Sequence, residues 1–206
     1  MATPGQLVEA MAAALGIPLP TVTQYDRVLA ENGLRTTGGR GLSAAQVTAA
    51  DATNLLLAIM GAPMSGAAIG DAARTCKLYG TLVHVPTPMP PRIRSYWLRK
   101  ITSLPAGHSL REAIVALIEG TIREWRERPP LYGSFTLRIR FDSHPPRARI
   151  FVASEGREAH RTMTYEMASP RQKRDAVAVG DLRQSREVTA QTIEHIAATL
   201  QDNCTQ

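Results

Sequence analysis

Cysteine is nearly absent. The 206-residue chain carries two, Cys76 and Cys204, too few for a disulfide framework and in no metal-binding spacing. Such usage suits a reducing compartment, and a cytoplasmic location is expected. Aromatic residues are scarce too, at 5% against a hydrophobic fraction of 44%. A core made from this composition is expected to rest on helices packed through small and aliphatic side chains. No stretch of about 18 apolar residues occurs, so no membrane-spanning helix is expected. The opening MATPGQ lacks a charged segment followed by an apolar block, so no secretion signal is expected either.

Catalytic signatures are also missing. Asp142 and His144 fall in one expected loop, and Glu155, Glu158 and His160 in another, but neither group has recognised ligand spacing. The glycines after Thr36 lack the Lys-Ser/Thr ending and the preceding strand of a phosphate-binding loop. His84, His108 and His195 stand apart along the chain, as packing or surface residues do. Cys76 has Arg74 and Lys77 nearby, but a small buried core position is the expected role. No enzymatic activity, cofactor or metal is therefore expected.

What the chain does have is positive charge. Its formal net charge is +6 and its pI about 9.8, a balance that favours polyanionic partners. The charge is unevenly placed. Residues 1–62 hold three Arg against four acidic residues, a net of −1; residues 63–130 hold ten basic against five acidic, +5; residues 131–206 hold eleven against nine, +2.

The nearly neutral first segment has the clearest motif. Thr3-Pro4 is a helix N-cap followed by proline at N1, and Leu7, Met11 and Leu15 recur at helical spacing. Gly16 stops that helix. Ile17-Pro18-Leu19 form a tight turn, and Pro20 suits the first turn of a second helix running to about Gly33. Val22, Tyr25, Val28 and Leu29 form its buried stripe, which leaves Thr21, Thr23, Gln24 and Arg27 outward. Gln pairs with adenine and Arg with guanine in a major groove, and Thr hydroxyls suit phosphates. Arg35, Thr36, Thr37 and Arg40 then sit on a glycine-rich arm able to meet phosphates or a minor groove. Ala13-Leu15-Gly16, the turn, Thr21-Val22 and Leu29 through Gly33-Leu34 together resemble a bacterial helix-turn-helix of the winged kind. The resemblance covers about a fifth of the chain and implies double-stranded DNA as the partner.

Further on, Thr48-Ala49-Ala50-Asp51 opens a third helix with Ala52, Leu55, Leu56 and Ile59 inward, closing a small domain over residues 1–62. Ser65 is expected to cap a helix from about Gly66 to Tyr79. Val83 to Pro91, with its run of prolines, is expected to be extended in polyproline geometry. It leads into the basic and aromatic cluster Arg92, Arg94, Tyr96, Trp97, Arg99 and Lys100, suited either to gripping a phosphate backbone or to placing Tyr96, Trp97 and Leu98 in the core with the arginines at its rim. Ser109 to Glu112 is a capping box opening a long amphipathic helix with Ile114, Leu117, Ile118, Ile122 and Trp125 on its apolar side.

The period then changes from helical to alternating. Phe135, Leu137, Ile139 and Phe141, then Ala148, Ile150 and Val152, point to an antiparallel β-hairpin, and Met163, Tyr165 and Met167 to a third strand. The outer face of the hairpin would carry only arginines, Arg138, Arg140, Arg147 and Arg149. Ser169 to Arg186 reads as irregular, and Thr189 caps a terminal helix with Ile193, Ile196, Ala197 and Leu200 inward. The expected architecture is α+β and mostly helical: a winged helix-turn-helix over 1–62, then central helices, a β-hairpin or three-stranded sheet and a terminal helix over 63–206, serving oligomerisation or partner binding. The expected function is a sequence-specific transcriptional regulator of phage or prophage type, acting as a homodimer on a palindrome. The alternatives are a phage assembly protein such as a small terminase subunit, or a protein-interaction module that never meets DNA.

Overall fold

The computed structural model describes residues 2–38, 45–62, 68–86, 100–127, 135–143, 145–154, 160–168 and 184–201. The chain is α+β, with helices laid on one face of a five-stranded antiparallel sheet. Helix α1 spans Pro4–Leu15 and opens with a reciprocal capping box: the Gln6 amide donates to Thr3 Oγ1 at 3.3 Å, and the Thr3 amide to Gln6 Oε1 at 2.9 Å. Gly16 ends it at φ 63°, a left-handed conformation that a side chain would strain. Helix α2 spans Leu19–Glu31 and has no side-chain cap; instead the Pro18 carbonyl accepts from the Thr21 and Val22 amides at 2.9 and 3.3 Å.

Helix α3, Ala49–Met60, opens with the Thr48/Asp51 capping box. It is buried nearly all round: every residue except Ala50 is inside. The helical spacing of its apolar positions marks one inward face, but α2 and the later helices Ala72–Gly80, Leu110–Glu127 and Ala190–Gln201 enclose it, which suits a helix largely apolar on all sides. Helix α4 is Ala72–Gly80, shorter than expected. Gly70 lowers helix propensity just before it, and residues 68–71 form a turn in which Asp71 precedes the helix. Residues 63–67, including Ser65, lie outside the described residues.

Val83–Val85 is strand β1, not polyproline. Its β-branched valines favour extended pairing; residues 87–91, which carry the other prolines of that expectation, lie outside the described residues. Pro86 follows directly, which fits a proline's confinement to strand ends and edges. The opposite side of β1 is covered by the residues before α5: the His84 amide donates to the His108 carbonyl at 2.9 Å and the Leu110 amide to the Leu82 carbonyl at 2.7 Å. Helix α5, Leu110–Glu127, begins at the expected Ser109/Glu112 box, with the Ser109 amide donating to Glu112 at 2.6 Å. Those hydrogen bonds hold the Glu112 carboxyl below its ordinary pKa.

Strands β2 (Phe135–Ser143) and β3 (Pro146–Ser154) form the expected hairpin, and β4 (His160–Glu166) the third strand. Strand β5 (Ser185–Thr189) pairs with β2, where irregular chain was expected up to Arg186. Its five residues hold a single buried position, Val188, so it carries almost no apolar alternation to read. The sheet order is β1-β4-β3-β2-β5. Helix α6, Ala190–Gln201, follows Thr189 and packs on α1, α5 and the sheet.

One apolar cluster runs from Ala2 to Leu200, with residues from both sides of position 62 in it. Tyr165 and Phe141 are its largest fully buried side chains. Where α3 ends, Gly61 has no side chain because the Tyr79 ring is there: a Cβ would meet that ring at 2.4 Å. Tyr79 in turn packs against Phe141, ring centroids 5.8 Å apart, and donates its hydroxyl to the Asp142 carbonyl at 2.8 Å. Beside it, Arg186 on β5 donates to the Ile59 carbonyl near the end of α3. Helical layer and sheet are thereby joined by directed bonds as well as by apolar packing.

Candidate nucleic-acid interface

The outward face of α2 depends on the burial of its other side. Val22, Tyr25, Asp26 and Leu29 are inside; Thr23, Gln24 and Arg27 are exposed and Thr21 is half-buried. The Thr23 hydroxyl donates back to the Leu19 carbonyl at 2.8 Å. Arg27 lies 2.8 Å from Glu31, with side chains 79% and 58% exposed. An exposed pair one helical turn apart contributes only about 0.3–0.5 kcal/mol, so Arg27 is readily released to another acceptor.

The base of the arm is held by two carboxylates. Arg35 Nε is 2.9 Å from Asp26 Oδ1, with both side chains largely buried. The contact is an ion pair without a well-directed hydrogen bond between these two atoms. Burial pushes the Asp26 carboxyl up, Arg35 pulls it down and Asp51 adds to the rise. Asp51 accepts from the Thr36 amide at 2.6 Å and its hydroxyl at 3.0 Å, and from the Thr48 amide and hydroxyl, both at 2.8 Å. Asn54 donates to the Leu34 carbonyl at 2.6 Å. Arg35 and Thr36 are therefore engaged within the protein, while Thr37 is exposed. Asp26, Asp51 and Asn54 fix where the arm leaves the core. Asp26 was legible: with Val22 and Leu29 it falls at helical spacing on the buried stripe. The second use of Asp51, beyond its cap, has no local signal.

Lys100 is helical, together with residues 101 and 102, and half-buried. Arg40, Arg92, Arg94 and Arg99 lie outside the described residues.

The strand register places Arg138, Arg140, Arg147 and Arg149 on the outer face of the sheet, with Arg140 directly opposite Arg149. That face is not purely basic, as the alternation suggested. Asp142 belongs to β2 and not to the turn, so it shares the face. Strands β4 and β5 add Glu166 and Glu187. Arg140 and Arg149 both pair with Asp142, at 3.0 and 2.8 Å, Arg147 pairs with Glu166 at 2.6 Å, and Arg138 lies 3.9 Å from Glu187. Like charges forced opposite one another by register are offset by carboxylates two residues along. At one end of this face Arg140, Asp142, Arg147 and Arg149, with Pro145, Gln184 and Ser185, line a pocket of about 420 Å³.

His84 and His108, far apart in sequence, stack with ring centroids 5.0 Å apart. His108 Nε2 lies 3.1 Å from the Tyr165 hydroxyl and its Nδ1 3.0 Å from the Pro105 carbonyl. With Nδ1 carrying the proton toward that carbonyl, Nε2 accepts from Tyr165. Burial, then His108 and Arg161, hold the His84 pKa below its ordinary value. Cys76 is fully buried, as expected; burial raises its thiol pKa and Arg111, 3.6 Å from the sulfur, opposes the rise.

Among the described residues no cluster of three or more His, Cys, Asp or Glu is arranged to hold a metal, and no helix is long and apolar enough to cross a membrane. Comparison of the chain with protein-family models, with curated proteins and with solved structures gives no match.

Proposed function

We propose that this protein is a sequence-specific DNA-binding transcriptional regulator that reads its site with α2. The observation that carries the reading is the α2 surface. Thr23, Gln24 and Arg27 stand exposed on the second helix of a tight helical hairpin, and none of them serves the core. A helix so placed offers its polar side chains to base edges in the major groove. Gln24 suits adenine and Arg27 guanine; each bidentate pair gives about 1–3 kcal/mol of discrimination. That exceeds the roughly 0.3–0.5 kcal/mol of the exposed Arg27–Glu31 pair, so DNA wins the guanidinium. Thr21 and Thr37 take phosphates. Arg35 and Thr36 act as positioning residues, aiming the arm that carries Arg40.

The segment bearing α2 has a net charge of −1 by count, so it needs phosphate contacts from elsewhere. In this reading they come from Arg92, Arg94, Arg99 and Lys100, and from a second copy in a dimer on a palindrome with half-sites about one helical turn apart. A mobility-shift assay against the promoter region of the protein's own operon tests the proposal. Gln24→Ala with Arg27→Ala should abolish the preference for that fragment over random duplex. An unchanged preference sinks the assignment of α2. The mass in solution separates the main alternative: a dimer supports a regulator, and a ring of about eight or more copies an assembly subunit.

A further inference from the structure

The pocket on the outer face of the sheet has more cationic donors than the described residues satisfy. Arg140, Arg147 and Arg149 project into it from two adjacent strands, alongside Gln184, Ser185 and one carboxylate, Asp142. Asp142 is shared, taking Arg140 on one oxygen and Arg149 on the other. Arg147 spends one terminal nitrogen on Glu166. The Nε atoms of Arg147 and Arg149 are themselves buried and have no acceptor among the described residues. Burying a guanidinium N–H without an acceptor is costly, and a turn of either side chain that brings its Nε–H to an anion in the pocket removes that cost.

We propose that this pocket binds the phosphate group of a small organic phosphate of mononucleotide size. A phosphate has enough oxygens to engage guanidiniums from both strands at once, whereas a planar carboxylate has two, a role Asp142 already fills. The volume, about 420 Å³, lies in the range of small-molecule sites, roughly 300–1,000 Å³, and exceeds what a bare phosphate fills. The site rests on anchored backbone: Tyr79 from α4 bonds the Asp142 carbonyl, and Ser185 directly precedes Arg186, which bonds the end of α3. It does not depend on α2 touching DNA.

The same phosphate chemistry has two carriers, a free nucleotide or the backbone of a duplex, and the experiment separates them. The full chain, ¹⁵N-labelled, is titrated with adenosine 5′-monophosphate, with adenosine, and with a short duplex lacking terminal phosphates, while the arginine Nε–H signals are followed. The monophosphate should shift two buried Nε–H signals and adenosine should not. Arg147→Gln with Arg149→Gln should weaken monophosphate binding about tenfold or more, as loss of charge-assisted bonds requires. Asp142→Asn, which releases two guanidiniums from their internal partner, should tighten it. If only the duplex shifts those signals and the double variant weakens it, the small-phosphate proposal is wrong and this face is a contact for a nucleic-acid backbone. If neither probe shifts them, or the double variant binds as the parent does, the proposal is wrong. Should the double variant not fold, Asp142→Asn decides: tighter binding supports the site, and equal or weaker binding overturns it. Because Gln24 and Arg27 are untouched, failure here leaves the α2 reading standing.

Discussion

Gly61→Ala should destabilise the protein although its backbone is suited to alanine. Gly61 has φ −83° and ψ −9°, an ordinary right-handed helical conformation, where Ala normally gains about 0.5–1 kcal/mol over Gly. Sterics reverse the sign. The new Cβ would lie 2.4 and 2.5 Å from two carbons of the Tyr79 ring and 2.8 Å from the Thr75 methyl. The ring has little room to retreat, since it is 98% buried, packs on Phe141 and is tied by its hydroxyl to the Asp142 carbonyl. Overpacking of this kind costs about 1–3 kcal/mol. Urea denaturation, with an unchanged m-value, measures it, and the midpoint of thermal unfolding should fall by about 2–4 °C per kcal/mol for a chain of this size. Shortening the obstacle tests the cause. In a Tyr79→Ala background only the Thr75 methyl, at 2.8 Å, still opposes the added methyl, so Gly61→Ala should there cost clearly less than in the parent chain, and the cycle should show coupling of about 1 kcal/mol or more. Equal or greater stability of Gly61→Ala in the parent chain would refute the reasoning, because it would mean the ring moves freely.

Arg35→Met alone should cost about 3 kcal/mol by leaving Asp26 buried and unpaired, whereas Arg35→Met with Asp26→Leu should come out near neutral; chemical denaturation of both variants checks this. If the double variant also keeps DNA affinity, Arg35 positions the arm and does not touch phosphate. Asp51→Ala should cost about 3 kcal/mol, from a lost helix cap and lost charge-assisted bonds, and should accelerate hydrogen exchange of the Thr36 amide. For His84, the folded pKa lies below the ordinary value, so between the two the unfolded chain binds more protons. Stability from this site is complete above about pH 6.5 and falls as the pH drops through the folded value. NMR titration should find that depressed pKa, and His84→Asn should flatten the stability slope over that window.

Where physics is local, the sequence carried it. The Thr3, Thr48 and Ser109 caps, the αL stops at Gly16 and Gly33, and the β2–β3–β4 alternation each depend on residues a few positions apart. They are found where expected. What was not legible depends on pairing across distance. Strand β1 is three residues long and is fixed by β4 and by the residues before α5. Strand β5 has one buried side chain and follows a polar stretch. The hairpin arginines could be placed on one face from alternation alone, but their counterions could not. Glu166 lies 19 residues from Arg147 along the chain and Glu187 lies 49 from Arg138, and Asp142 is a turn residue by local sequence but belongs to β2 by register. The same holds for Arg35, whose buried partner sits on the far side of a helix end.

These long-range pairings change how charge is apportioned. A count by segment makes the first 62 residues slightly acidic, yet two of their four carboxylates, Asp26 and Asp51, are buried and committed to Arg35, Thr36 and Thr48. A carboxylate held inside by such bonds adds little to the field that a partner meets at the α2 surface. What α2 presents there is Arg27 against Glu31, near balance. If the proposed function holds, contacts through Gln24 and Arg27 select a sequence without strong non-specific attraction, and the salt-dependent part of the affinity falls to basic residues elsewhere. On that division of labour, Gln24→Ala with Arg27→Ala should reduce discrimination between sites while removing at most about one phosphate equivalent from the salt slope. A slope that falls by several units in that variant would show α2 to be a phosphate clamp and not a reader of bases.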